Sequence, residues 1–300
     1  MWIDNSLHPL FDEAISQIQS GGTFAIIDKL CRELSAVRDS AHLAAEIPEF
    51  RRTCQSHPIW QLLMEDPYTR RAFEKPRGYA GDAVMLDFVY SGPPPEGTSE
   101  IGNRVFDATT RLPNGQSVIW RRDYVARAID EIASTVEQPV ITSIACGHLR
   151  ECQDSKAVCD GRIGTIYAID QDAESLKVVQ AEQSKRSVVT MVGNVLEIIS
   201  GEIPVPQSDF IYSMGLYDYL PDSLAERLTR ILFASVKNGG TLLIGNFTTT
   251  SHGRGYMDGF MDWSLAYRKA SSLFEFGEAE SKRVFTDPHG NVAYLELKRF

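Results

Sequence analysis

The sequence predicts a largely parallel α/β sheet closed by a C-terminal antiparallel hairpin, behind a helical N-terminal region. Three observations carry this. From residue 139 onward, apolar runs of five to seven residues alternate with helix-like segments, as expected of strands covered on both faces. The ending "SKRVFTDPHGNVAYLELKRF" has two strand-like runs around the turn cluster "DPHGN" and no helix between them. Residues 1 to about 90 instead space their apolar residues three and four apart, the helical period.

Taken in order, "HPLFDEAISQIQSG" and "GTFAIIDKLCRELSAVRDSAHLAAEI" are expected helices parted by Gly21-Gly22. Pro48, Pro58 and Pro67 cut the next stretch into shorter pieces, and "SGPPPEGTSEIGN" (91–103) is a loop by composition. "NGQSVIWRRDYVARAIDEIAST" is a helix leading to the first strand, "PVITSIAC". Next come a helix through 151–160, the strand "GTIYAIDQD", the helix "AESLKVVQAEQSK" and the strand "SVVTMVGN". "SDFIYSMGLYDYL" opens with the fourth strand, "DSLAERLTRILFASV" is a helix, and "GGTLLIGNF" is the fifth strand. The expected division is 1–115, a helical extension, and 116–300, the sheet domain.

Composition limits function. The net charge of −10 is even: residues 1–115 carry 11 basic and 16 acidic side chains, the remainder 19 and 24. With no basic face, neither nucleic acid nor an anionic membrane is an expected partner; a small molecule is. Five cysteines without a C-x-x-C pair indicate neither a disulfide framework nor a zinc site, so no metal is expected. The acidic start "MWIDNSLHPLFDEA" lacks a basic stretch followed by an apolar one, and the expectation is a cytoplasmic protein. A homodimer stays open.

In a doubly wound sheet, ligands bind at the carboxyl ends of the strands. Four loops qualify. "ACGHLRE" follows strand one, where Gly147 lets backbone approach a ligand. Asp170 ends strand two, 23 residues beyond Gly147, near the spacing at which an acidic residue takes the hydroxyls of a ribose. Gly193, Asn194 and Val195 close strand three, and "SMGLYDYL" closes strand four. Each alone reads as an ordinary turn or helix cap; four in order, each at the correct end of its strand, read as a binding site.

The region from about 117 to 300 resembles a class I S-adenosylmethionine (SAM)-dependent methyltransferase domain, with a Rossmann-like sheet and terminal hairpin. The dinucleotide-binding dehydrogenases use G-x-G-x-x-G, for which this chain has Ala145, Gly147 and Arg150. "KPRGYAGDAVMLDFVY", "SIACGHLRE", "GLYDYLPD" and "GNF…DWSLAYR", spanning 75–268, are similar to bacterial enzymes of 3-hydroxy fatty acid methyl ester (extracellular factor) biosynthesis. The resemblance implies that Ala145, Cys146 and Gly147 wrap the methionine part of SAM, and that Asp170 holds the ribose beside Gln171. It implies Asn194 at the adenine amino group, and Met214, Gly215 and Leu216 on the cofactor's other face. Ser143 and Leu149 depart from the superfamily's acidic residue and last glycine, leaving Glu151 to receive the cofactor's ammonium.

The N-terminal extension is expected as a lid, with Tyr79 near the sulfonium or substrate and Arg77 and Asp82 in the substrate's reach; Asp82 reads equally as the cap of "AVMLDFVY". Tyr217 and Tyr219 are candidates for cation–π contact or for the acceptor, or equally for the core. In "NFTTTSHGRGYMDGFMDWSLAYR", His252 is the candidate base, and Arg254, Tyr267 and Arg268 are candidates for holding a substrate carboxylate. The similar enzymes have a different, Pro-containing sequence at 248–256, so their contacts are not carried over there.

The expected activity is methyl transfer from SAM to a carboxylate or hydroxyl of a small molecule. A carboxylate needs no base; a hydroxyl does. Two rivals stand beside it. One is a SAM-consuming enzyme without methyl transfer, an intramolecular cyclase or lyase such as an azetidine-2-carboxylate synthase, releasing methylthioadenosine. The other is a non-catalytic SAM-binding module.

Overall fold

A computed structural model describes residues 2–40, 47–90, 92–184 and 186–300. Residues 41–46 of the second expected helix, Ser91 of the expected loop and Lys185 at the end of another expected helix lie outside them. The chain forms two compact units, Met1–Val118 with Ser251–Ser264, and Ile119–Thr250 with Leu265–Phe300.

The first unit is helical: α1 (Trp2–Ser20), α2 (Thr23–Ser40), α3 (Ile47–Ser56), α4 (Ile59–Leu63), α5 (Pro67–Glu74), α6 (Ala83–Tyr90), α7 (Glu100–Arg111) and the start of α8 (Pro113–Thr135). Its ends follow local chemistry. Asp66 caps α5 by accepting from the amides of Tyr68 and Thr69, with Pro67 in the first turn, where its missing N–H costs nothing. Ser99 caps α7 by accepting from the Gly102 amide.

The second unit carries the rest of α8 and a seven-stranded sheet. Along the chain come β1 (Val140–Ile144), α9 (Glu151–Asp154), α10 (Lys156–Cys159), β2 (Thr165–Asp170), α11 (Ala173–Glu182), β3 (Val188–Val192) and α12 (Val195–Ser200). Then come β4 (Ser208–Ser213), α13 (Asp222–Ala234) and β5 (Val236–Phe247). The hairpin is β6 (Ser281–Thr286) and β7 (Val292–Lys298). The order is β3-β2-β1-β4-β5-β7-β6; β1 to β5 run parallel, and β7 is antiparallel to its neighbours β5 and β6. This is the Rossmann-like sheet with terminal hairpin that the resemblance implied.

The apolar runs form strands buried on both faces, as the near-continuous burial of β1 and β4 shows, and on one face Ile144, Ile169, Ile211, Leu242 and Ile244 pack with Leu228 and Leu232 of α13. The hairpin turn is organised by Asp287, whose carboxylate accepts from the amides of His289 (3.0 Å) and Val292 (2.7 Å). The helix expected over 151–160 is broken at Ser155, whose hydroxyl caps α10 and donates to Asp130 at 2.7 Å. Ser155 competes for backbone groups that a continuous helix would use.

After β5 the chain enters the first unit as α14 (Arg254–Phe260), which packs against α2. A Cβ on Gly255 would stand 2.2 Å from the Leu34 carbonyl carbon, so only glycine allows this approach. Among the described residues no helix is long and apolar enough to cross a membrane, and no cluster of three His, Cys, Asp or Glu suits a metal ion.

Candidate functional site

The second unit gathers most of the nominated residues at the carboxyl ends of β1 to β4. In the loop after β1, Ala145, Gly147 and Leu149 all have positive φ, near 54°, 54° and 55°. For Ala and Leu this conformation costs roughly 1–2 kcal/mol each. Leu149 stands where a glycine would adopt it freely, and burial of its side chain (1% exposed) offsets the strain. Two ties hold the loop to the end of β2: the Cys146 amide donates to the Ile169 carbonyl (3.2 Å), and the Gly147 amide to Asp170 Oδ2 (2.8 Å).

Asp170 is 6% exposed. Its other oxygen, Oδ1, accepts from the Asp172 amide at 2.8 Å. A carboxylate offers about four acceptor directions, and these two amides fill two of them. Burial raises the proton affinity of Asp170, while the two amides oppose that shift. Gln171 beside it is exposed.

Gly193 is buried after β3 and donates to the Asp170 carbonyl at 3.0 Å. Asn194 differs from the expectation. Its Oδ1 accepts from the amides of Leu196 (2.9 Å) and Glu197 (3.1 Å), capping α12, and Glu197 returns the bond to the Asn194 amide. Both lone pairs of that oxygen are used, so it is no acceptor for an adenine amino group; the side-chain NH2 is what Asn194 can offer. Val195 is the first residue of that helix.

After β4, Met214, Gly215 and Leu216 are half-buried, and a Cβ on Gly215 would meet nothing within 4 Å. The backbone there is open to a ligand. Ser213 Oγ, at the end of β4, is buried with no hydrogen-bond partner among the described residues.

Glu151 and three residues that sequence patterns did not nominate complete this end of the sheet. Glu151 accepts a hydrogen bond from Tyr212 Oη, and Arg121 of α8 donates to the Met214 carbonyl (2.5 Å). Burial pushes the Glu151 carboxyl above its usual range; the Tyr212 bond and then the charges of Arg121 and Arg122 oppose this. The same burial, with Glu151 beside it, raises the Tyr212 phenol. Asp218, 3% exposed, accepts from the Phe247 amide at 2.6 Å and is pushed up to about 6 by burial.

Other nominated residues have structural roles. Tyr217 is fully buried, hydrogen-bonded to Thr229 Oγ1 (2.9 Å) and stacked near Phe276, so it belongs to the core; Tyr219 is 41% exposed in the same loop. Arg268 is 6% exposed and donates to the carbonyls of Tyr217 and Leu220, to Asn246 Oδ1 and to Asp222. It ties the loop after β4 to the end of β5 rather than presenting a fork to a ligand. Tyr267 is half-buried next to it in sequence.

In the first unit, Asp82 is 2% exposed, paired with Arg71 at 2.8 Å, and accepts from the Met85 amide: a buried helix cap, not a ligand contact. Arg254 pairs with Asp39 and donates to the Ser251 carbonyl at 2.9 Å. His252 lies 3.0 Å from Asp28, its pKa lowered by burial, and lines a small cavity with Cys31, Asn114, Tyr256 and Met257. Arg77 and Tyr79 are half-buried in the segment between α5 and α6.

No protein-family model matches the chain, and no curated protein matches it. Solved structures do. A possible exported protein from Bordetella parapertussis is 16% identical with a TM-score of 0.62, covering 87% of this chain and 98% of that one. The apo S-adenosylmethionine-dependent methyltransferase SibL is 14% identical with a TM-score of 0.48, over 97% of this chain and 96% of that one. Magnesium protoporphyrin IX methyltransferase from Synechocystis PCC 6803, with bound SAH, is 11% identical with a TM-score of 0.45, over 63% and 87%. At 16% identity the Bordetella parapertussis likeness is one of fold alone.

Proposed function

We propose that the second unit binds S-adenosylmethionine at the carboxyl ends of β1 to β4, and that the protein transfers its methyl group to an oxygen of a small molecule. One observation carries the reading. Asp170 is held at the end of β2 by the amides of Gly147 and Asp172, with two acceptor directions remaining, the number a vicinal ribose diol needs.

The donor set around it fits the rest of the cofactor. Gly215 leaves room beside the backbone, Ser213 Oγ is buried without a partner among the described residues, and the Glu151 carboxylate suits an ammonium. When bound, the cofactor supplies a carbon made electrophilic by an adjacent sulfonium. The chain's part is to hold that carbon in line with the acceptor oxygen, and a carboxylate acceptor, already ionised at neutral pH, needs no base. The resemblance to 3-hydroxy fatty acid methyl ester biosynthesis makes a carboxylate the first acceptor class to try. For a hydroxyl acceptor, Tyr219 is the proposed group within this unit.

Glu151 favours one second reading. Buried and held by the Tyr212 hydroxyl, it could accept a proton from the cofactor's ammonium were SAM bound there. The cofactor would then supply an aminoalkyl carbon open to its own nitrogen, C–N formation accompanying C–S cleavage, with azetidine-2-carboxylate and methylthioadenosine as the products.

Mass spectrometry after incubation with SAM separates these readings. S-adenosylhomocysteine formed only when an acceptor is present supports methyl transfer. Methylthioadenosine formed from SAM alone supports ring closure or lyase chemistry and overturns methyl transfer. Neither product, with SAM bound, supports a non-catalytic module.

A further inference from the structure

The helical unit has a cavity of its own, of about 30 Å³, which is room for about two water-sized groups. Leu112, Met257 and Met261 give it apolar walls, and burial keeps the Cys31 thiol beside them neutral. A Cβ on Gly253 would stand 3.1 Å from Asn114 Nδ2 and 3.6 Å from Cys31 Sγ, so the glycine leaves this wall uncrowded.

Two polar groups on the wall offer acceptors. Asn114 Nδ2 donates to Met257 Sδ at 3.6 Å, and Asn114 Oδ1 is buried with no hydrogen-bond partner among the described residues. A buried acceptor left unmade is costly. Tyr256 becomes an acceptor through its neighbours. Asp66, pushed up to about 6 by burial, is ionised at neutral pH and accepts from the hydroxyls of Thr69 (2.7 Å) and Thr109 (3.0 Å). The single Thr69 hydroxyl proton is spent there, so the Tyr256 hydroxyl, 3.1 Å away, donates to Thr69 Oγ1 and keeps only lone pairs.

Charge narrows the ligand further. Asn114 is the second residue of α8, whose positive N-terminal end disfavours a cation. The two acceptor oxygens, with the Asp66 carboxylate beyond Thr69, disfavour an anion. His252 on the same wall is held neutral by burial. An ordered water would turn most of its bonding capacity toward Leu112 and the two methionines. We infer that the cavity binds the hydroxyl end of a small, uncharged aliphatic alcohol, which donates to Asn114 Oδ1 while its carbons lie against Leu112, Met257 and Met261. This site belongs to the helical unit and does not depend on the cofactor reading.

The test is ligand-observed NMR, with saturation transferred from the full-length protein to 1-propanol, propylammonium or propionate in separate titrations. The wild type is expected to bind 1-propanol with a millimolar Kd, as its few heavy atoms allow, and the charged probes at least about fivefold more weakly. Asn114→Leu, similar in volume without the acceptor, should weaken 1-propanol about fivefold, the worth of one hydrogen bond. No binding of 1-propanol to the wild type overturns the inference and leaves the cavity to water. Equal or tighter binding of either charged probe to the wild type overturns it too. Unchanged 1-propanol affinity in a folded Asn114→Leu also overturns it, since the alcohol then binds elsewhere. If Asn114→Leu does not fold, Asn114→Asp reads the same wall: its added charge should improve propylammonium binding about fivefold, and no gain overturns the inference.

Discussion

Asp170 and Tyr217 are both buried polar residues near strand ends, and the structure gives them opposite roles. Asp170 faces the loop backbone with acceptor capacity to spare, whereas the Tyr217 hydroxyl is spent on Thr229 inside the core. Tyr217→Phe should therefore cost about 1 kcal/mol of stability, the worth of one neutral hydrogen bond, and leave cofactor affinity unchanged. Urea unfolding and calorimetry check both halves. Asp170 was legible in the sequence because a strand-ending acid at a set distance from a loop glycine is a local pattern. Arg121, Glu151 and Tyr212 were not legible as a group, because 30 and 61 residues part them and only the fold closes those gaps. Arg254 and Arg268 looked like ligand contacts because a charged residue in a polar stretch reads as exposed. Their partners, Asp39 and Asp222, lie on other elements.

At the scale of elements, the strands and the closing hairpin follow from patterns a few residues long: apolar runs, the Asp287 turn, the Asp66 and Ser99 caps. The path of 251–264 does not. Gly255 reads as one more turn glycine until α2 comes within contact of it, a neighbour more than 200 residues away in sequence. The loop after β4 is similarly defined by a distant residue. Arg268 satisfies the carbonyls of Tyr217 and Leu220 and the side chain of Asn246. Arg268→Leu strands these buried acceptors and is expected to cost about 3 kcal/mol or more. A thermal melt shifted by several degrees is the expected result. Arg268→Lys should recover only part of the loss, since one ammonium cannot span the same acceptors.

Across the molecule, two buried carboxyls contribute to the dependence of stability on pH. Asp66 in the first unit and Asp218 in the second are each pushed up to about 6 by burial. In the unfolded chain an Asp titrates near ~3.9. Between these values the folded state binds more protons than the unfolded one, so these groups lower stability as pH rises through that window. Asp66→Asn removes one of them. Its stability relative to wild type should improve steadily from pH 4 to about 6.5 and then level off, measured by urea unfolding at each pH. A difference independent of pH would show that Asp66 keeps an ordinary carboxylate pKa in the fold.

In the proposed function the strand ends of the second unit hold the adenosyl cofactor, with Asp170 on its ribose. Isothermal titration of S-adenosylhomocysteine into wild type and Asp170→Ala tests it most directly. Saturable one-to-one binding to the wild type, weakened at least tenfold in a folded Asp170→Ala, is the predicted result. No binding to the wild type, or equal affinity in the two proteins, would contradict it.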